Sequence, residues 1–177
     1  MIDTVLKVFL LEDRQMDAEL TKRALLKFAP NSVVTVANSE KEFLQRIHWG
    51  EYDIVLADYH LPGYNGLEAL LYVREHFPHI PFVFVTGQLD NEEKAAAAVL
   101  SGANGYVLKE NLKQLGEAVS SALDRASANR QKAEELAARR QERSLMLQKA
   151  LYLVRNADDF TEKGEVEAAL QKVLEIG

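Results

Sequence analysis

The chain has 177 residues, 47% of them apolar and 27% charged, with 9 glycines and no cysteine. That length allows one domain of ordinary size with something attached. The composition excludes general disorder, collagen, disulfide frameworks, thiol catalysis and thiolate metal sites. No apolar run approaches ~18 residues, so no helix spans a membrane. MIDTVLKVFLLEDR lacks the basic start and small-residue cleavage site of a signal peptide, and a cytoplasmic location is expected. Charge is unevenly placed. Residues 1–111 hold 16 acidic and 10 basic side chains, whereas 112–177 hold 11 of each. An acidic globular part argues against nucleic-acid binding, which needs clustered Lys and Arg.

The predicted elements alternate. Val5–Leu11 is a branched apolar run of strand length. Arg14–Phe28 places Met16, Leu20, Ala24 and Phe28 at helical spacing, which predicts a helix packed through those residues and ended by Pro30. Val33–Val36 is a second strand. Ser39 followed by Glu42 reads as a capping box opening a helix with Phe43, Leu44 and Ile47, ended near Gly50, with Trp49 packed at its end. Ile54–Ala57 is wholly apolar and is expected to be covered on both faces. A Pro62/Gly63 turn leads to a helix over Leu67–Phe77, then strand Phe82–Thr86, an Ala-rich helix over Asn91–Leu100, strand Tyr106–Leu108 and a helix beginning near Asn111. Five strands separated by helices imply parallel β-α-β units with right-handed crossovers, an α/β doubly wound sheet with helices on both faces.

Ligands of such sheets bind beyond the carboxyl ends of the strands. Those ends carry Glu12-Asp13, Asp58, Thr86 and Lys109. Alone, an acidic pair after a strand is ordinarily a solvated turn or helix cap, and a single Lys or Thr there says nothing. Three carboxylates, a hydroxyl and an ammonium along one edge are a different matter. A carboxylate can attack phosphorus to give an acyl phosphate. A divalent cation with oxygen ligands relieves the mutual repulsion of the acids, and an ammonium meets the phosphoryl oxygens.

LLEDR, IVLADYHLPGYNGLEAL, FVFVTGQ and GANGYVLKE resemble the receiver domain of bacterial two-component response regulators, the CheY-like fold, over about residues 4–123. The resemblance implies a five-stranded sheet of order 2-1-3-4-5. It makes Asp58 the phosphoacceptor, with Glu12, Asp13, Asp58 and the backbone carbonyl of His60 holding Mg²⁺ or Mn²⁺. Thr86 becomes the switch hydroxyl, Lys109 the phosphoryl-binding lysine and Tyr106 the switch aromatic. The side chains of His60 and Gln88 stand where the family tunes phosphoryl lifetime. The implied partner is a sensor histidine kinase or phosphotransfer protein, and the change is passed on by the face of the fourth helix, fifth strand and fifth helix. Glu110 stands where the family usually has proline, so a cis bond after Lys109 is not expected. Two other readings stay open: a phosphorelay shuttle or phosphate sink, and a Mg²⁺-dependent aspartyl phosphohydrolase. The second is disfavoured because His60, not an acid, lies two residues after Asp58. The chain is read as a signalling domain and not an enzyme.

Leu112–Arg155 contains no proline and a single glycine, Gly116. As one helix it would reach about 66 Å, more than a receiver needs to cover its sheet. Leu115, Val119, Ala122, Ala126, Ala133 and Leu136 follow heptad spacing. After a stutter the pattern resumes at Ala137, Ser144, Leu147, Leu151 and Val154. This predicts a coiled coil joining two copies as a parallel homodimer, against a solvated single helix or an arm folded on its receiver. Residues 156–177 break the helix and begin a new amphipathic one over Val166–Ile176. That helix either resembles the first helix of a GAF-type sensory domain or folds back as a hairpin. The expected organisation is therefore a receiver over 1–123, a coiled-coil linker over 124–155 and a short helix within 156–177, with output lying beyond Gly177.

Overall fold

The computed structural model describes residues 2, 5–87, 100–158 and 163–176. Five strands form one parallel sheet: β1 (Lys7–Leu11), β2 (Val33–Ala37), β3 (Ile54–Ala57), β4 (Phe82–Thr86) and β5 (Gly105–Leu108). Their spatial order is β2-β1-β3-β4-β5, the order expected from sequence. The crossovers between consecutive strands include α1 (Gln15–Phe28), α2 (Glu40–Arg46) and α3 (Gly66–His76). The predicted helix over Asn91–Leu100 lies outside the described residues except for Leu100. A 3₁₀ turn over Lys109–Gln114, kinked at Asn111, leads into α4 (Leu115–Arg155), and α5 (Lys163–Ile176) follows. The helix expected from Asn111 therefore starts at Leu115, after one tighter turn. No helix among the described residues is long and apolar enough to cross a membrane.

The sheet is covered on both faces because successive strand residues point to opposite sides. Phe9, Leu11, Val55, Ala57, Phe82 and Phe84 form one core with Phe43, Leu70 and Val73 of α2 and α3. Val8, Leu10, Ile54, Leu56, Val83 and Val85 form the other with Leu25 of α1 and Leu115, Val119 and Ala122 of α4. At roughly 1.5–3 kcal/mol for each large side chain, these two layers dominate the stability of the sheet unit.

Local signals place the helix starts. The Glu42 amide donates to Ser39 Oγ, while the Glu42 carboxylate reaches back to the Asn38 amide, a capping box displaced by one residue on its return arm. The Glu68 amide donates to Asn65 Oδ1 and opens α3 in the same way. Pro62 and Gly63 form the two-residue turn of a small antiparallel ladder, His60–Leu61 with Tyr64–Asn65, and Gly63 takes φ +70° there.

Three packing expectations are corrected. Helix α1 buries Ala18, Thr21 and Leu25, whereas Met16 and Leu20 face outward. The spacing was right for a helix, but the stripe that packs lies one residue further round. Trp49 does not pack at the end of α2; it is 78% exposed. The heptad positions Leu115, Val119 and Ala122 are fully buried in the sheet unit, so they are core and not an intermolecular seam.

The chain divides into two compact units, Met1–Ser127 and Ala128–Gly177. Within the second, α4 and α5 form a hairpin. Ser144 and Leu147 of α4 line one groove with Val173 and Leu174 of α5. Arg155 donates to Gln171 Oε1 at 3.1 Å, and Leu151 is buried. Hairpin packing is thus the alternative realised for the last helix, and it occupies part of the seam expected to join two copies.

Candidate functional site

Strand register brings the acidic residues together. Leu11 pairs with Ala37 on one side and Ala57 on the other, so Glu12, Asp13 and Asp58 leave the sheet at the same edge. Backbone bonds continue past the strand ends: the Asp58 amide donates to the Leu11 carbonyl and the Glu12 amide to the Ala37 carbonyl, each at 2.9 Å. One carboxylate oxygen from each of Glu12, Asp13 and Asp58 lies within 4.8 Å of the other two. Thr86 ends β4 fully buried, and its register partner Leu108 ends β5, which puts Lys109 one residue past that strand.

Lys109 closes the site. Its Nζ lies 2.6 Å from Asp58 Oδ2, 2.6 Å from Glu12 Oε2 and 3.0 Å from Asp17 Oδ2. Asp58 Oδ1 accepts from the His60 amide at 3.2 Å. Burial raises the Glu12 carboxyl above its ordinary pKa, although the Lys109 ammonium opposes this. Burial would lower the Lys109 pKa, but hydrogen bonds to Asp58, Glu12 and Asp17 outweigh it and hold the ammonium above its ordinary value. Asp13, Asp17, Asp58, His60, Thr86 and Lys109 line one open cleft of about 350 Å³.

The donor set suits a hard divalent cation. Among the described residues Asp13 Oδ1 is buried without a hydrogen-bond donor, and the Lys109 ammonium faces Glu12 Oε2. Buried anionic oxygens without donors are costly, and oxygen coordination would relieve them.

The response regulator receiver domain family model matches residues 8–120. The chain belongs to that family. Among its relatives, CheY of Pseudomonas aeruginosa is 35% identical over 68 residues, which is 37% of this chain and 54% of that protein. CheY-3 of Vibrio cholerae is 26% identical over 106 residues, 59% of this chain and 80% of that protein. The match thus spans about half of one relative and four fifths of the other. The receiver fold also superposes on the response regulator TrrA of Thermotoga maritima, solved in complex with Mg²⁺-BeF. The TM-score is 0.58 and identity 24%, covering 66% of this chain and 98% of that one.

Two residues of this receiver's site were not foreseen from sequence. Asp17 binds Lys109, and Arg14 Nη1 lies 3.5 Å from Asp17 Oδ2. The available signal was position: Asp17 is the acidic residue of the first turn of α1, which starts at the edge where β1 ends. Tyr106 is half exposed on β5, opposite Phe84 in register, and does not line the acidic cleft. Gln88 lies outside the described residues.

Proposed function

We propose that Asp58 accepts a phosphoryl group from a histidine kinase or phosphotransfer protein, and that the chain passes this state on through its helical extension as a homodimer. The observation that carries the reading is the Lys109 ammonium at 2.6 Å from both Asp58 and Glu12, beside the donor-free oxygen of Asp13. Asp58 is the nucleophile. As its oxygen bonds to phosphorus, the P–N bond of the donor phosphohistidine breaks and the imidazole leaves with the electron pair. Lys109 is placed to release its hold on Asp58 and meet the incoming phosphoryl oxygens, and Thr86 offers a hydroxyl from the cleft floor. His60 fixes the carboxylate through its backbone amide.

Glu12, Asp13, Asp58 and the His60 carbonyl would hold Mg²⁺ or Mn²⁺, which when bound neutralises the carboxylates and the developing phosphoryl charge. TrrA, crystallised with Mg²⁺-BeF, supports that assignment by fold. On this reading the activity is stoichiometric signalling. The family resemblance gives the His60 and Gln88 side chains the task of setting how fast water removes the group, and Tyr106 would report the charge change on the outer face of β5. The experiment is incubation with acetyl phosphate and Mg²⁺ followed by intact mass measurement. One phosphoryl group is expected on the wild type and none on Asp58→Asn; retention on the variant overturns the assignment.

A further inference from the structure

The second half of α4 presents an apolar stripe that its own hairpin does not use. Ser144, Leu147, Leu151 and Val154 turn toward α5 or are sheltered with it. Leu145, Met146, Tyr152 and Leu153 are exposed, between 59% and 67%. At 100° per residue these four lie on the side of α4 away from α5. At their centre stands Lys149. Its neighbours at three and four residues in both directions are those same four side chains, so no helical ion pair is available to it. Glu142 lies two turns earlier on the same stripe. Neither Glu142 nor Lys149 forms an ion pair among the described residues.

We propose that this stripe is the contact with a second copy of the chain, and that the two α4 helices meet there antiparallel. This deepens the homodimer of the proposed function and rests on it. A two-fold axis between Leu145 and Met146 makes the surface complementary to itself. Leu145 then meets Met146 of the second copy, and Lys149 meets Glu142. The same operation sets Leu153 against Ala138. The two charges at the centre of the stripe, Glu142 and Lys149, thus each find their opposite. The parallel arrangement expected from heptad spacing would instead stack Glu142 on Glu142 and Lys149 on Lys149, like charges at the heart of the contact. Much of the seam that suggested that arrangement is used within the chain, Leu115, Val119 and Ala122 in the sheet core and Ser144 and Leu147 against α5, which leaves Ala126, Ala133 and Leu136.

The absence of native cysteines makes a clean test available. Ala138→Cys and Leu153→Cys are made separately in the full chain, mixed, and oxidised with diamide. The antiparallel contact predicts a disulfide between the two variants, with little self-linking of either alone. Self-linking of each alone, with no preference for the mixed product, overturns the orientation and leaves the homodimer standing. A monomeric mass by sedimentation at high concentration, with no cross-link, overturns both, while phosphoryl uptake by Asp58 remains a separate measurement. Lys149→Glu should weaken dimerisation at least ~10-fold, one step of about 1.4 kcal/mol. The exchange Glu142→Lys/Lys149→Glu should return it to within ~3-fold of wild type, because the self-complementary pairing is merely reversed. Failure of the exchange to restore association overturns the pairing.

Discussion

Gly66, the first residue of α3, has the least room of the glycines described. A Cβ built there would lie 2.3 Å from the Asp58 carbonyl oxygen, 2.8 Å from Phe84 Cε1 and 2.9 Å from Tyr59 Cα. Two of those neighbours are backbone and the third belongs to a fully buried ring. Neither can swing aside as a flexible surface chain would. Gly66→Ala therefore has to move the Asp58–Tyr59 backbone by about 1 Å to reach ordinary contact, overpacking of the kind that costs ~1–3 kcal/mol or more. The gain in helix propensity, at most about 1 kcal/mol, opposes it and is smaller at a helix start. A net loss of ~2–3 kcal/mol is expected, or roughly 6–10 °C in melting temperature for a chain of this size. Because the displaced atoms carry the Asp58 carboxylate, phosphorylation by acetyl phosphate should slow as well. Urea unfolding followed by circular dichroism reads the first effect and mass spectrometry the second. Gly164→Ala is the control: beyond its chain neighbours and its own helix backbone, no atom of the described residues lies within 4 Å of its Cβ, so it should be neutral or slightly stabilising in α5. A Gly66→Ala chain with the wild-type urea midpoint and slope would refute the steric argument.

Removing the cation should expose the repulsion it masks. Lys109→Met leaves buried Glu12 and Asp58 facing each other with Asp17 nearby; ~3–5 kcal/mol is the expected loss at pH 7 in chelator, partly recovered by millimolar Mg²⁺. Unchanged stability in chelator would contradict the electrostatic account. Thr21 is buried on α1 and its hydroxyl has no partner, so Thr21→Val should stabilise by about 1 kcal/mol in the same urea assay, and a clear loss would show that the hydroxyl is satisfied. Burial pushes the Tyr64 phenol up to about 12, with Glu40 and Glu68 adding to it. The unfolded chain gives up that proton near pH 10, so folding stability should fall as pH rises from there toward 12, by up to roughly 2 kcal/mol. A Tyr64→Phe chain lacks that component, and identical alkaline curves for the two proteins would dispose of it.

The parallel sheet and the edge that carries the site were legible because they depend on signals that survive without contacts, while the strand order came from the family resemblance. Branched runs such as Ile54–Ala57 announce themselves as doubly covered strands, and the edge of a parallel sheet collects whatever follows each strand. Glu12, Asp13, Asp58, Thr86 and Lys109 could therefore be placed together from chain order alone. What escaped depends on direction around a helix. Met16 and Leu20 sit at the right spacing on α1 but on the outer side, since periodicity gives a stripe without saying which stripe the sheet takes. The same limit left the hairpin as one of two alternatives. Leu147 and Leu151 have the spacing of an intermolecular seam, and an in-chain helix satisfies it equally well. Asp17 escaped because its importance appears only when Lys109, 92 residues away, arrives beside it.

That distance has a consequence for how the protein comes into being. The acidic edge is laid down with β1 and β3, but its balancing ammonium enters 51 residues after Asp58, just past the last strand. Until β5 docks, the nascent chain carries a cluster of carboxylates with no internal counterion and no completed cleft. Closing such long loops is among the slower steps of folding. On the proposed function, a phosphoacceptor assembled this way would mature only when the sheet is finished, and a half-made or misfolded receiver would have no site with which to answer a kinase.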